Sequence, residues 1–177
     1  NGNVKNAIIF CNRKRDVAVL HKSLSKHGFN AGALHGDMEQ RYRDEVLVRF
    51  ANRSCNVLVA SDVAARGLDI DDIGAVVNYE LPTDADTYLH RVGRTGRAGL
   101  GGLALSLVTS QERGRAALIE ERMLESGGGK PIRYQQVAPL DGKPREVPQA
   151  AMITLRIDAG RSDKLRPGDI VGALTGD

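Results

Sequence analysis

Ten consecutive residues, His90, Arg91, Val92, Gly93, Arg94, Thr95, Gly96, Arg97, Ala98 and Gly99, set three arginines at intervals of three and part them with glycine. A guanidinium is planar and permanently charged, and its fork of donors matches the oxygens of a phosphate. Residues three apart on a helical turn are neighbours on one face. The spacing therefore predicts Arg91, Arg94 and Arg97 along one ridge that meets phosphate. Gly93 and Gly96 would each cost about 1 kcal/mol relative to alanine inside a helix, and a close approach of backbone to a partner is the usual compensation. A solvated basic turn is the reading that the spacing alone leaves open.

A second block lies upstream. Val57, Leu58, Val59 and Ala60 form an apolar run that reads as a buried parallel strand, with Ser61 and Asp62 at its carboxyl end. Open α/β sheets place their ligand sites at that end. Ala64, Ala65 and Gly67 are small enough for the following turn to press against a ligand, and Asp69 offers an acceptor pair suited to a ribose hydroxyl. Read alone, Asp62 serves equally as the cap of the next turn, Arg66 as half of an ion pair and Asp69 as a loop carboxylate.

Taken together, the two blocks resemble motifs V and VI of superfamily 2 helicases in the wording of the DEAD-box RNA helicase family. Ser61 to Asp69 matches motif V, and His90 to Arg97 matches motif VI. Ile8, Ile9, Phe10, Cys11 and Asn12 resemble motif IV, while His35, Gly36, Asp37, Met38, Glu39, Gln40, Arg41, Tyr42 and Arg43 resemble motif IVa with its Gln, x, x, Arg. Four motifs in the family's order are far more specific than a lone glycine-rich loop.

The resemblance implies a RecA-like unit, the second of a tandem pair, with ATP in the cleft between the two. Arg94 and Arg97 match the phosphate-facing arginines, Asp69 the residue that holds the ATP ribose, and Gly67 the adjoining backbone contact. Asn12, Gly36, Gln40, Arg43 and Ser61 match positions that contact or support the RNA sugar-phosphate backbone, with Arg41 as a further candidate. Arg66, His90 and Arg91 match positions that couple the cleft to RNA binding, His90 as an orienting hydrogen-bond partner. The family's phosphate loop, acidic magnesium box and adenine-reading Gln motif do not occur in this chain. It is therefore expected to carry half an ATP site, with the Mg2+ ligands on an amino-terminal RecA-like partner domain, and to hydrolyse no ATP alone. No residue here is assigned to a metal. A superfamily 2 enzyme acting on DNA and a non-catalytic RNA-binding scaffold are the competing readings; the Ala, Arg, Gly, Leu, Asp wording argues against the first and the intact Arg94 and Arg97 against the second.

Alternation of short apolar runs with amphipathic stretches must position these residues. It predicts a parallel sheet with helices on both faces over residues 1 to 125, with strands at 7–11, 31–34, 56–60, 75–79 and 103–109. Val17, Leu20, His21 and Leu24 recur at helical spacing, as do Val46, Leu47 and Phe50, then Ala116, Ile119, Met123 and Leu124; residues 84–92 form a short helix leading into motif VI. The 177 residues allow one such domain and an appendage, and 41% hydrophobic content is ample for its core. A net charge of +3 is compatible with nucleic acid, while 4% aromatic content without tryptophan leaves little stacking surface, so an RNA grip goes to the backbone. Cys11 and Cys55 read as inert buried thiols. With no signal peptide or long apolar span, the cytoplasm is the expected compartment and no membrane partner is expected.

Ser126 to Lys130 ends the last helix with glycines, and the stretch to residue 150, with four prolines, reads as a linker or wrapping extension. Beyond it Ile153, Leu155 and Ile157 alternate with Thr154 and Arg156 as a strand would. Gly160 to Gly176 resembles the opening of the C-terminal RNA-binding domain of DbpA-type bacterial DEAD-box proteins, an RNA-recognition-motif-like (RRM-like) unit of which residues 151–177 would be an incomplete start. That resemblance implies a hairpin of large-subunit ribosomal RNA as partner and a place in ribosome assembly, with Arg156, Arg161, Lys164 and Arg166 as basic charge.

Overall fold

The computed structural model describes residues 4–65, 73–96, 101–126, 132–136, 146–159 and 161–176. Five apolar runs form strands: β1 (Ala7–Cys11), β2 (Ala31–Leu34), β3 (Val57–Ser61), β4 (Ala75–Asn78) and β5 (Leu103–Ser106). They make one sheet in the order β2-β3-β1-β4-β5, every neighbouring pair parallel. Parallel strands cannot be joined by a tight turn. Their connections accordingly carry the helices α1 (Lys14–Lys26), α2 (Gln40–Ala51), the short α3 (Asp62–Ala65) and α4 (Ala85–Val92), and α5 (Arg113–Glu125) follows β5.

Strand side chains alternate between two buried layers. Ile8, Phe10, Leu58 and Ala60 pack with Phe50, Val46 and Leu47 of α2. Cys11 and Val59 turn to the opposite layer, where Val17, Leu20 and Leu24 of α1 meet them. A third cluster, Leu81, Tyr88, Ala116 and Ile119, joins α4 to α5. Glycine at position 32 lets α2 sit close on β2, since a Cβ there would lie 2.9 Å from Val46 Cγ1.

Register brings the candidate motifs to one level. Cys11 pairs with Ser61, Leu34 with Ala60, and Phe10 with Asn78. The residues that follow these strands, Asn12, His35, Asp62 and Tyr79, thus line up along the carboxyl edge of the sheet, where parallel sheets gather their ligands.

The predicted strands are found with small differences. β3 reaches Ser61, and β5 is shorter than expected because its neighbour β4 ends at Asn78, whose carbonyl takes the last bond from Leu107 N–H. The tail corrects the reading of the sequence. Ile153, Leu155 and Ile157 belong to no ladder; this stretch is extended, 85%, 68% and 47% exposed at those positions, because no strand among the described residues lies beside it. A helix does follow, α6 (Pro167–Thr175), opened by proline and closed by Gly176 at φ 77°. The described residues do not make an RRM-like unit.

Candidate functional site

Arg91, near the end of α4, is the buried centre of the carboxyl edge, with a side chain 2% exposed. Its Nε and Nη2 donate to the two Asp62 oxygens at 2.6 and 2.7 Å. Nη1 donates to Asn78 Oδ1 at 3.1 Å and to the Glu80 carbonyl at 2.9 Å, and Nη2 also donates to Asn12 Oδ1 at 2.8 Å. The guanidinium has five N–H groups, and each has an acceptor. The Phe10 ring lies under it, 5.1 Å from the guanidinium carbon. One side chain therefore ties β1, the start of α3, the end of β4 and α4 together.

This placement changes the ridge read from the spacing. Arg91 is turned inward with no donor left for phosphate, because the helix ends at Val92 and the chain turns through Gly93 and Arg94. Arg94 is half-buried and lines a cleft of about 510 Å³ with Asp62, Asp86, Thr87 and His90. His90 is exposed at that cleft. Arg97 lies outside the described residues, as do Arg66, Gly67 and Asp69. Thr95 fixes the end of the motif by a bridge to Ile73 and a hydroxyl bond to the Ile73 carbonyl. Any side chain at Gly102 would collide with Thr95 and the Gly96 backbone, so glycine is required there for this loop to pack.

The candidate RNA residues occupy the same edge on the β2–β3 side. Asn12 spends both ends of its amide inside the protein, donating to the Leu81 carbonyl at 2.9 Å and accepting from Arg91. It supports the edge rather than reaching out from it. Gly36 is exposed, and a Cβ built there meets no atom within 4 Å; the fold does not demand glycine at this point. Gln40 opens α2 and donates to Asp44 at 2.6 Å. Arg43 lies one turn on, and its Nε is buried without a hydrogen-bond acceptor, as is Nδ1 of His35 without a partner. An unmet buried donor costs about 1–3 kcal/mol, so this corner is built for an acceptor that arrives from outside. Ser61, 8% exposed, ends β3. Nearby, Lys14 Nζ lies 2.6 Å from Asp37, and that hydrogen bond holds the Asp37 carboxyl below its usual range.

Sequence reasoning missed Asn78, Glu80 and Gly102. Asn78 had a signal, a polar residue ending an apolar strand as Ser61 does; Glu80 and Gly102 had none apart from their position in space. Among the described residues no group of three His, Cys, Asp or Glu is placed to hold a metal ion, and no helix is long and apolar enough to cross a membrane.

Residues 1–99 match the helicase conserved C-terminal domain. The chain is 47% identical over 171 residues to the ATP-dependent RNA helicase DbpA of Escherichia coli (strain K12), covering 96% of this chain and 36% of that protein. Among solved structures it resembles the E. coli DEAD-box protein SrmB bound to regulator of ribonuclease activity A, with TM-score 0.70 and 36% identity over 82% of this chain and 85% of that one. S. cerevisiae Dbp5 bound to RNA and ADP BeF3 matches with TM-score 0.67 and 34% identity, over 75% of this chain and 35% of that one. A parallel sheet with these motifs at its carboxyl edge and this match define the class: the chain belongs to the helicase C-terminal domain family. Within that family it is a RecA-like domain of the DEAD-box RNA helicase type, similar to bacterial DbpA, and it spans about a third of that relative's length.

Proposed function

We propose that this chain supplies one wall of an ATP cleft and a sequence-blind RNA grip to an ATP-dependent RNA helicase, the other wall coming from an amino-terminal RecA-like domain. The observation that carries this reading is the Arg91 knot. It fastens Asn12 and Asp62, at the edge where RNA is held, to the helix whose end carries Arg94 at the cleft. A neighbour of the same fold, Dbp5, is solved with RNA and ADP BeF3 together.

The donor set at the cleft suits a polyphosphate. Arg94 and, by its place in the motif, Arg97 meet the transferring phosphoryl group, where charge spreads over its equatorial oxygens; arginines so placed contribute roughly 10³ to 10⁵ in rate. Asp69 holds the ribose and Gly67 the backbone beside it, while Arg66, His90 and Arg91 couple nucleotide to RNA. Mg2+, held by the partner domain, neutralises phosphate charge. On the other side Gly36, Gln40, Arg43 and Ser61 receive the sugar-phosphate backbone, with Asn12 behind them. Closing the two domains on ATP and RNA separates a short duplex, a conformational step. We place the protein in the cytoplasm and its RNA in the large ribosomal subunit, on the likeness of residues 151–177 to DbpA-type proteins.

The test is complementation. The chain alone is expected to show no RNA-stimulated ATP hydrolysis, and addition of a DEAD-box amino-terminal RecA-like domain should restore it. In the restored system Arg94→Ala or Arg97→Lys should lower single-turnover hydrolysis by at least about tenfold, since lysine keeps the charge but loses the fork. Steady turnover by the chain alone would sink the half-site reading.

A further inference from the structure

The stretch that was expected to form a strand is seated on α2 by its polar side. Asn56 Nδ2 donates to the Pro148 carbonyl at 2.9 Å, and Ala150 N–H donates to Asn30 Oδ1 at 2.8 Å. Met152 N–H donates to the Arg53 carbonyl at 3.3 Å. Thr154 Oγ1 accepts from Asn52 Nδ2 at 2.8 Å and is hydrogen-bonded to the Ser54 hydroxyl. Arg156 reaches Glu45 at 3.2 Å, and Asp158 lies 3.7 Å from Arg41. These contacts have a direction. Their partners run back along α2 from the turn after its carboxyl end, at Arg53 and Asn52, through Glu45 to Arg41, the residue after Gln40. Thr154 and Arg156 face the helix, so the alternating Ile153, Leu155 and Ile157 face outward.

We propose that residues 148–158 are a strap that delivers the chain following it to the head of α2, where Lys164 and Arg166 extend the RNA-facing edge by gripping further phosphates. The proposal rests on the RNA reading given above for Gln40 and Arg43. Six residues separate Asp158 from Lys164, and six residues of extended chain reach no more than about 20 Å. Both basic side chains are exposed. Confinement within that radius raises their effective concentration at the edge, with no new contact to the domain itself. A free tether from Pro148 would search a far larger volume.

The experiment uses the 177-residue chain and a fluorescein-labelled decauridine. The combined variant Asn30→Ala, Asn52→Ala, Thr154→Val removes three strap bonds without changing charge, and Thr154→Val alone repeats the test without touching the domain. In the unaltered chain the amides of Ala150 and Met152 should be protected from hydrogen exchange, and both variants should lose that protection. Lys164→Ala with Arg166→Ala should flatten the log–log salt dependence of RNA affinity by about 1.4, for two contacts at about 0.7 each. In the strap-released background the same pair should change it by less than half as much. Free exchange at residues 150 and 152 in the unaltered chain would overturn the strap, and equal effects of the lysine–arginine pair in both backgrounds would overturn its delivery role. Unchanged affinity on Arg43→Ala, with exchange protection intact, would instead remove the RNA edge on which the composite surface depends.

Discussion

Burial pushes the Cys11 thiol up to about 12 from its usual 9.0, and the carboxylates of Glu80 and Asp16 push the same way against Arg91. Below about pH 9 the thiol is neutral both folded and unfolded, and its contribution to stability is constant. Above that the unfolded thiol ionises while the folded one stays protonated, so stability is lost progressively until the folded value is reached. The stability difference between the unaltered chain and Cys11→Ala should therefore shrink by about 1 kcal/mol per pH unit above pH 9. Urea titrations at pH 8 and pH 10.5 measure it, and a constant difference would refute the assignment. The inert thiol was legible in the sequence, since Cys11 ends an apolar run. The inward turn of Arg91 was not, because the spacing of Arg91, Arg94 and Arg97 describes a helix that continues, whereas the helix stops after Val92.

Helix α4 carries His90 and Arg91, and its first turn is set by Asp84. The Asp84 carboxylate accepts from Thr87 N–H at 2.7 Å and from the Thr87 hydroxyl at 2.9 Å. Those bonds, the backbone one first, hold its pKa below the usual value of 3.8, so the cap stabilises the helix above that pH and fails as pH falls through the lowered value. Asp84→Ala should cost about 1 kcal/mol and Asp84→Asn much less, which in a chain of this size is a fall of about 2–4 °C in Tm for alanine alone. Equal melting of the two variants would argue against a capping role. Elements of this kind were readable. The central strands are buried on both faces and show as continuous apolar runs, and Asp84 before an amphipathic stretch announces a helix start. The stretch from Ile153 to Ile157 misled because alternation predicts a strand only where a neighbouring strand exists to pair with it.

Across the whole molecule, the candidate motifs meet only because a parallel sheet brings distant strand ends level. Motif order and family wording foretold that meeting; which side chain would close it depended on partners that no local pattern contains. Arg91 binds groups 11, 13, 29 and 79 residues away. Each such loop has a closure cost that must be met before the contact forms, and the longest requires β1 to stand beside β4 already. The knot should consequently be among the last features to assemble. Arg91→Ala leaves the Asp62 charge without its partner and should cost about 3–5 kcal/mol. For a contact absent from the folding transition state, that loss appears as unfolding faster by roughly a hundredfold or more, with refolding almost unchanged. Stopped-flow dilution into and out of urea separates the two limbs, and slowed refolding with unaltered unfolding would place the knot in the nucleus instead. The arginine that joins the two ligand-facing edges would then act in folding as a latch, setting how long the assembled domain persists rather than how quickly it is found.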